Sequence, residues 1–467
     1  MHLMKSSSLT PHDLNDAGNA DRLVAYVGGN LAYVPESDVF IHYQCGRWHR
    51  DEHGLEVREL AEAAIRQELA TLPLAGEGQD YRTHDKRQRF MERSLNKGLN
   101  AAMIHMAKSR IAIPLALLDS DDHLLGVRNG ILDLESQRLI EKSRDYYVTR
   151  MADVAFEPEA TCPLWQSFMA ETFGNNQLMI DYVEGIVGNM LSGHTRRQEF
   201  YMFIGDGANG KSTLISLVAT LMGDYARSIL PSTLFERQAG EQGNYDLALL
   251  PGVRLAVAHE AESRLRLNSA RLKQLTGTDE IAARPIRRQP FNFRPKCKIV
   301  MVANKRPQID AYDEALKRRV RITTFPNQVP EDRRDPYLLE KLLEESPGIL
   351  NRLVSAGARL RANQIAVPPS VYAATQSYFA DMDYVAAFLE ELTEKVDGAM
   401  VAKADLYAAF VGRCKTECLK PRAMAELTSI MKRKGFEETR SNSVRGWKNL
   451  RLLTMTPPHD KGGDRDA

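Results

Sequence analysis

Cysteine is scarce. Only Cys45, Cys162, Cys297, Cys414 and Cys418 occur in 467 residues, an odd number with no framework spacing. This excludes a disulfide-stapled scaffold and fits a reducing, cytosolic compartment. Long apolar runs are also lacking. The longest, residues 111–118, is broken by Pro114 and falls far short of the ~20 residues of a membrane helix. The polar N-terminus has no apolar stretch of the secretory kind, so neither a leader nor a membrane partner is expected. Charge of one sign is missing too: 62 Lys and Arg face 61 Asp and Glu. Bulk charge therefore argues neither for nor against a nucleic-acid partner, and only local patches can. No internal repeats are found.

What is present is ordinary globular composition, 43% hydrophobic and 26% charged, in a chain long enough for several cores. Composition and periodicity divide it into a flexible N-terminus (1–20), a mixed, mostly helical domain (21–195), an α/β core (196–330), a helical lid or linker (331–382), a helix-turn-helix with a wing (383–455) and a disordered tail (456–467). Within the first domain, residues 23–48 suggest a hairpin region, 57–72 and 86–108 suggest helices, and LLGVRNGILDLES reads as two strands around a tight turn at Asn129-Gly130. Helices follow near 163–173 and 177–192. In the core, EFYMFIG, VRLAVAHE, KIVMVAN and VRITTF are apolar on both faces, as in a buried parallel sheet whose ligands sit at the strands' C-terminal ends.

Chemistry concentrates in FIGDGANGKSTLISL, residues 203–217. A strand breaks into Gly205, Gly207, Asn209 and Gly210, and Lys211, Ser212 and Thr213 open a helix. This is the phosphate cradle G-x-x-x-x-G-K-[ST] in its required strand-to-helix context. Backbone N–H groups converge on phosphate oxygens and the helix terminus adds positive potential. Lys211 is expected to reach the β- and γ-phosphates of ATP, and Ser212 to ligate Mg²⁺. Glu260 ends the strand LAVAHE, where a carboxylate can hold the Mg²⁺ shell or polarise the attacking water. Asn304 ends KIVMVAN and can orient that water. The guanine-reading Asn-Lys-x-Asp pattern is broken by Pro307, which argues against a GTPase, and no acceptor site supports a kinase.

Two basic stretches suit DNA. ARPIRRQPFNFRPKCK carries Arg284, Arg287, Arg288, Arg294, Lys296 and Lys298, with Phe291 and Phe293 between them and no acid. From Arg413 to Arg451, eleven basic residues face four acidic ones, a net of +7, suited to duplex DNA or else to a protein contact. Arg318 and Arg319 precede a strand, a place from which an arginine finger can serve a neighbouring subunit's nucleotide. His42, Cys45, His49 and His53 fit no standard zinc knuckle and read as an ordinary hairpin. Asp119 and Asp121 form a primase-like pair, but such pairs are common in polar loops. Cys414 and Cys418, one helical turn apart, read as packing residues.

In this order, GDGANGKST, AVAHEAE, KQLTGTDEIAAR, KIVMVANKRPQID and RRVRITTF resemble the superfamily 3 helicases, in particular the phage and plasmid primase-helicases with the poxvirus primase-helicase as a relative. The resemblance covers roughly residues 115–450. It implies an AAA+-like P-loop core with a C-terminal winged helix, a homo-oligomeric ring, usually a hexamer, and 3′-to-5′ travel on single-stranded DNA. It further implies Lys211 and Ser212 on nucleotide and magnesium, Glu260 as the Walker B acid, Lys273 as the basic residue of the following motif and Asn304 as sensor. Arg319 is implied as the finger, with Arg318 second, and 284–296 as a pore hairpin. His259 stands where some members carry a further acid. Only about 115 residues precede the match, so a separate primase partner is expected. A DNA-binding ATPase that assembles on DNA as an initiator or scaffold, without processive unwinding, is the alternative from a different class.

Overall fold

The computed structural model describes residues 13–72, 81–236, 246–259, 266–284, 290–417, 419, 421–441 and 444–453. It divides into two units: residues 1–307 with 319–372, and residues 308–318 with 373–467.

The first unit begins with a helix, Asp16–Val27, inside the stretch expected to be flexible or extended. Local capping explains it. Asn15 accepts the Gly18 N–H at 2.8 Å, and Gly28 ends the helix at φ 55°. Strands Leu31–Val34, Val39–Gln44 and Arg47–Asp51 form an antiparallel sheet. The predicted helix over 86–108 is two helices, Tyr81–Ser94 and Lys97–Ala107, because Asn96 breaks the ladder in extended conformation. Leu23, Phe40, Ile65 and Met103 share a core here.

Strands Leu124–Val127, Gly130–Asp133 and Arg138–Ile140 follow as a meander. Val127 pairs with Gly130, so the tight turn is Arg128-Asn129, one residue earlier than expected. The Asn129 amide fixes it by bridging the Phe156 N–H and carbonyl, each at 2.9 Å.

Five parallel strands form the centre: first Phe200–Ile204, second Ala226–Ile229, third Leu255–His259, fourth Lys298–Ala303 and fifth Val320–Thr324. Their spatial order is 5-1-4-3-2. Strands one and four are buried throughout, which is why their sequences read as unbroken apolar runs. The second strand, ARSI, escapes sequence reading because it is a short, half-polar edge.

Helices Gln177–Met190 and Ser346–Arg361 pack against each other through Gly188 and Gly357. A Cβ on Gly188 would lie 2.0 Å from the Leu353 carbonyl oxygen, so the backbones touch and no side chain fits. Glu184, buried on the first of these helices, accepts from Trp165 Nε1 at 2.8 Å and Arg352 Nε at 2.6 Å. Buried Arg254 donates to the carbonyls of Leu191 (2.5 Å) and Leu124 (2.6 Å), and Lys298 donates to that of Ser192. Two cations thus occupy the carbonyl end of the 177–190 helix. Burial pushes the Lys298 ammonium well below its usual range.

The second unit runs helix Tyr384–Leu392, strand Thr393–Ala402, helices Lys403–Thr416 and Met424–Arg433, and strands Glu438–Ser441 and Val444–Leu452. The long strand 393–402 is an addition to the helix-turn-helix and wing expected over 383–455, and pairs with 444–452. Phe388, Phe410, Ile430 and Trp447 fill the core. Segment 308–318 belongs to this unit: the Tyr312 hydroxyl bonds Asp383, and the Arg422 guanidinium lies 4.8 Å over the Tyr312 ring while pairing with Asp310 at 2.8 Å.

Substituting Gly188→Ala should destabilise the first unit by roughly 1–3 kcal/mol through overpacking. Gly98→Ala, on an exposed helical position with nothing near its Cβ, should be neutral or slightly stabilising. Thermal midpoints of the two variants check both.

Candidate functional site

The residues expected to carry chemistry lie around the sheet, and the structure sorts them by edge. Strand one ends at Ile204, the glycine loop occupies 205–210, and helix Lys211–Met222 follows. The loop is braced from two sides. A Cβ at Gly205 would lie 2.2 Å from the Asn209 amide nitrogen and 2.7 Å from the Phe325 carbonyl oxygen. Asn209 itself is buried and donates to that carbonyl at 3.2 Å, while Val329 N–H donates to the Ala208 carbonyl at 2.7 Å. Gly210, at φ 81°, sits against Thr172 and Phe168, leaving no room for a larger residue. The segment after strand five and the 163–172 helix therefore hold the loop. Neither Phe325 nor Thr172 carries a local sequence signal for this role.

Lys211 is buried, and its ammonium donates to the Gly205 carbonyl at 2.6 Å and the Asn209 side-chain oxygen at 2.8 Å. Its charge is thus folded back over the loop, with Asn209 linking it to Phe325. Ser212, in the first helical turn, is exposed, and Thr213 is half-buried. Gly207, at the tip, has open space around it.

Strand register decides which other residues share this edge. Ala303 pairs with Ile204, so Asn304, exposed, comes next to Gly205. His259 pairs with Val302 on the other side of strand four and is exposed. Glu260 lies outside the described residues, immediately beyond His259.

Arg319 is at the opposite edge. Val320 pairs with Phe200, the first residue of strand one, so five strand residues, about 16 Å, separate Arg319 from the loop. Its guanidinium is buried and donates to Gln198 at 2.9 Å. It lines an open cleft of about 670 Å³ together with Lys273, Asp279 and Glu280. Lys273 is on helix Ser269–Thr276. Arg318 is exposed and belongs to the second unit.

Strands Ile281–Ala283 and Phe291–Phe293 pair antiparallel, the first of them ahead of the 284–296 stretch expected to form a hairpin, and Arg284 and Arg294 next to their ends are exposed. Arg287 and Arg288 lie outside the described residues. Lys296 departs from expectation: its ammonium is held inward by the Asp119 and Ser120 carbonyls (2.7 and 2.9 Å) and the Asp122 carboxylate (2.7 Å). Burial alone would raise the Asp122 carboxyl, but Lys296 outweighs it and holds that group below its usual range.

Several minor candidates resolve into local structure. His42 pairs with His49 across a hairpin with rings stacked at 5.4 Å, and Cys45 occupies its turn. Asp119 accepts from Thr149 N–H (2.8 Å) and hydroxyl (2.5 Å), and Asp121 accepts from His123 N–H (2.8 Å), so neither is a free carboxylate. Cys414 is buried in the second core; Cys418 lies outside the described residues. The basic C-terminal stretch is largely paired internally: Arg413 with Glu391, Arg422 with Asp310, Lys434 with Asp383, Lys448 with Glu437 and Arg451 with Glu394. Arg440 and Arg445, directly opposite each other on the last hairpin, are exposed. No described helix is long and apolar enough to cross a membrane.

Known proteins share these segments. Residues 20–174 match the family described as D5 N terminal like, and residues 203–319 match a family of unknown function, DUF5906. A protein of Acanthamoeba polyphaga mimivirus named "Putative helicase" is 25% identical over 314 residues, 62% of this chain and 33% of that protein. A "Putative helicase" of Frog virus 3 is 26% identical over 52% of this chain and 27% of its own length. A "Putative primase" of African swine fever virus is 24% identical over 48% and 25%. The chain thus spans a quarter to a third of the curated relatives it matches. A solved structure, the apo C-terminal region of NrS-1, matches with TM-score 0.49 and 11% identity over 79% of this chain and 77% of that one. In its ordered motifs the chain resembles the superfamily 3 primase-helicases, and it shares its matched segments with these viral relatives.

Proposed function

We propose that the chain is an ATP-driven DNA helicase of the superfamily 3 kind, built on an AAA+-like P-loop core and serving replication of a phage, plasmid or integrated element. The observation that carries the reading is the braced glycine loop at the C-terminal end of strand one, with Asn304 in register beside Gly205. Ligands of open parallel sheets bind at that edge. Incoming phosphates take the place of the Gly205 carbonyl and Asn209 as partners of the Lys211 ammonium, and the first turn of the 211–222 helix supplies N–H groups. The donor set fits magnesium: Ser212 offers an exposed hard oxygen in the first turn, and Glu260 follows the strand that ends beside strand four. When bound, magnesium would neutralise charge on the phosphates. Asn304 then orients the attacking water.

Arg319 and Arg318, about a strand's length from their own chain's loop, act on the nucleotide of a neighbouring copy in a ring, taken to be a hexamer. That division of labour is supported by the opposite-edge placement of Arg319. Single-stranded DNA runs along the 284–296 hairpin through Arg284, Arg287, Arg288 and Arg294, with Lys273 nearby in sequence and Lys296 anchoring the hairpin's base. The second unit, with its helix–strand–helix–helix–hairpin order, is a winged helix that contacts duplex DNA through Arg440 and Arg445 at its wing. Primer synthesis, where needed, comes from a separate primase.

A forked duplex with a 3′ single-stranded tail, ATP and magnesium tests the proposal. Strand release by the wild type supports it; DNA-stimulated hydrolysis without release would favour an initiator or scaffold instead. Lys211→Ala should abolish hydrolysis and release together. Arg319→Ala should lower hydrolysis by roughly 10³–10⁵-fold while sparing nucleotide binding, because a finger acts from outside the pocket. Reversing Arg440 and Arg445 to Glu should weaken duplex binding and reduce the salt dependence by at least about two counterions, read as the slope of log affinity against log salt.

A further inference from the structure

A second cluster of chemistry lies away from the glycine loop, at the other end of the first unit's sheet. His123 precedes strand Leu124–Val127, Glu135 follows strand Gly130–Asp133, and His194 lies just beyond the 177–190 helix. The three are 71 residues apart at their widest, with no local spacing to betray them. In the fold their ligand atoms all lie within 4.8 Å of one another. His194 Nε2 is 3.0 Å from His123 Nε2, and His123 Nε2 is 2.7 Å from Glu135 Oε1.

Hydrogen bonding alone serves this arrangement poorly. The Asp122 carboxylate lies 3.4 Å from His194 Nδ1, a position that favours the proton on that nitrogen and the lone pair on Nε2. That lone pair lies 3.0 Å from His123 Nε2 and 3.3 Å from its Nδ1, edge-to-face with the ring, while the Glu135 carboxylate holds His123 Nε2 at 2.7 Å. His123 therefore aims no N–H squarely at that lone pair once Glu135 takes Nε2, whereas a rotation of the His123 ring lets one cation take all three donors. The separations are also near those required: donors about 2.0–2.1 Å from a tetrahedral ion lie about 3.4 Å apart. Two imidazoles and a carboxylate form a zinc-type ligand set, with a carboxylate behind one imidazole.

The backbone holds the ligands in place before any ion arrives. Leu134 N–H donates to the His123 carbonyl at 3.0 Å, and Gly193 N–H donates to the Asp122 carbonyl at 2.9 Å. The first ends on the His123 carbonyl itself, and Leu134, Gly193 and Asp122 each adjoin a ligand in sequence. Arg254, bonded to the Leu124 and Leu191 carbonyls, ties the same strand and helix end together from inside. The His194 side chain is 14% exposed and that of Glu135 is 65% exposed, so one side of the site is open to water for a fourth ligand. Among the described residues, no other trio of His, Cys, Asp or Glu converges in this way.

We propose that His123, Glu135 and His194 bind one divalent transition-metal ion, zinc by ligand type, which clamps the 124–140 meander to the end of the 177–190 helix. The role is structural: the ion joins two segments that meet only in the folded chain. It is distinct from the magnesium of the proposed ATP site, being held by nitrogen ligands and placed beyond the opposite edge of the sheet.

Tag-free full-length protein, stripped by chelator, should take up about one zinc per chain from buffered zinc and retain it on dialysis. Cobalt(II) should give the visible absorption of a tetrahedral nitrogen–oxygen site. The thermal midpoint should rise with zinc, as for any ligand of the native state. Glu135→Gln, an exposed and fold-neutral change, should weaken zinc at least tenfold in competition with a chromophoric chelator. His123→Ala with His194→Ala, checked for folding by circular dichroism, should hold less than about one tenth of an equivalent. His42→Ala with His49→Ala should bind as wild type. The proposal is overturned by loss of zinc on dialysis with no shift in the midpoint, by equal affinity in Glu135→Gln, or by loss of zinc in the His42/His49 variant.

Discussion

The order of five parallel strands governs everything else in the first unit. Strand one lies between strands four and five, so the loop that follows it has a neighbour on each side. Strand four places Asn304 beside Gly205, and the chain leaving strand five supplies the Phe325 carbonyl that holds Asn209. Because the strands are parallel, every residue at a strand's end falls on one edge and every residue at a strand's start on the other. Arg319 and Asn304, only fifteen residues apart in sequence, are therefore separated by the height of the sheet.

The connection between those two residues passes through the second unit. Segment 308–318 is tied there by Tyr312, Asp310 and their partners Asp383 and Arg422, while Asn304 and Arg319 belong to the first unit. The chain therefore crosses between units three times, and two of the crossings bracket the segment between the sensor and finger candidates. Buried aromatic and ionic contacts of this kind are individually modest, but they act together because Arg422 serves Asp310, Glu426 and the Tyr312 ring at once. The first and second units are thus joined by three chain crossings.

Much of the architecture is legible in the chain itself. Strands one, three and four announce themselves as apolar runs because both their faces are buried. The glycine loop is legible because Gly205, Gly210, Lys211 and Ser212 stand at a fixed short spacing, although contacts that exclude larger residues there come from Phe325, Phe168 and Thr172, far away in sequence. Elements held by capping or edges were harder. The helix at 16–27 rests on Asn15 and Gly28 rather than on a strong apolar stripe, and strand 226–229 is too short and too polar to stand out. Strand 393–402 has alternating burial broken by an irregular register, which hides its period.

The charges show where local reading ends. Lys296 and Arg294 are two residues apart in the same basic run, yet one is bound by Asp119, Ser120 and Asp122 and the other is exposed. The same division separates Arg422 from Arg440 in the second unit. By itself the sequence carried the glycine–lysine–serine pattern, the order of motifs and the family resemblance, since these depend on residue type and short spacing. Only the tertiary structure decided which edge each candidate occupies, which cations are internally paired, and that His123, Glu135 and His194 meet. Those outcomes depend on strand register and on contacts between residues as many as 177 positions apart, which no local window contains.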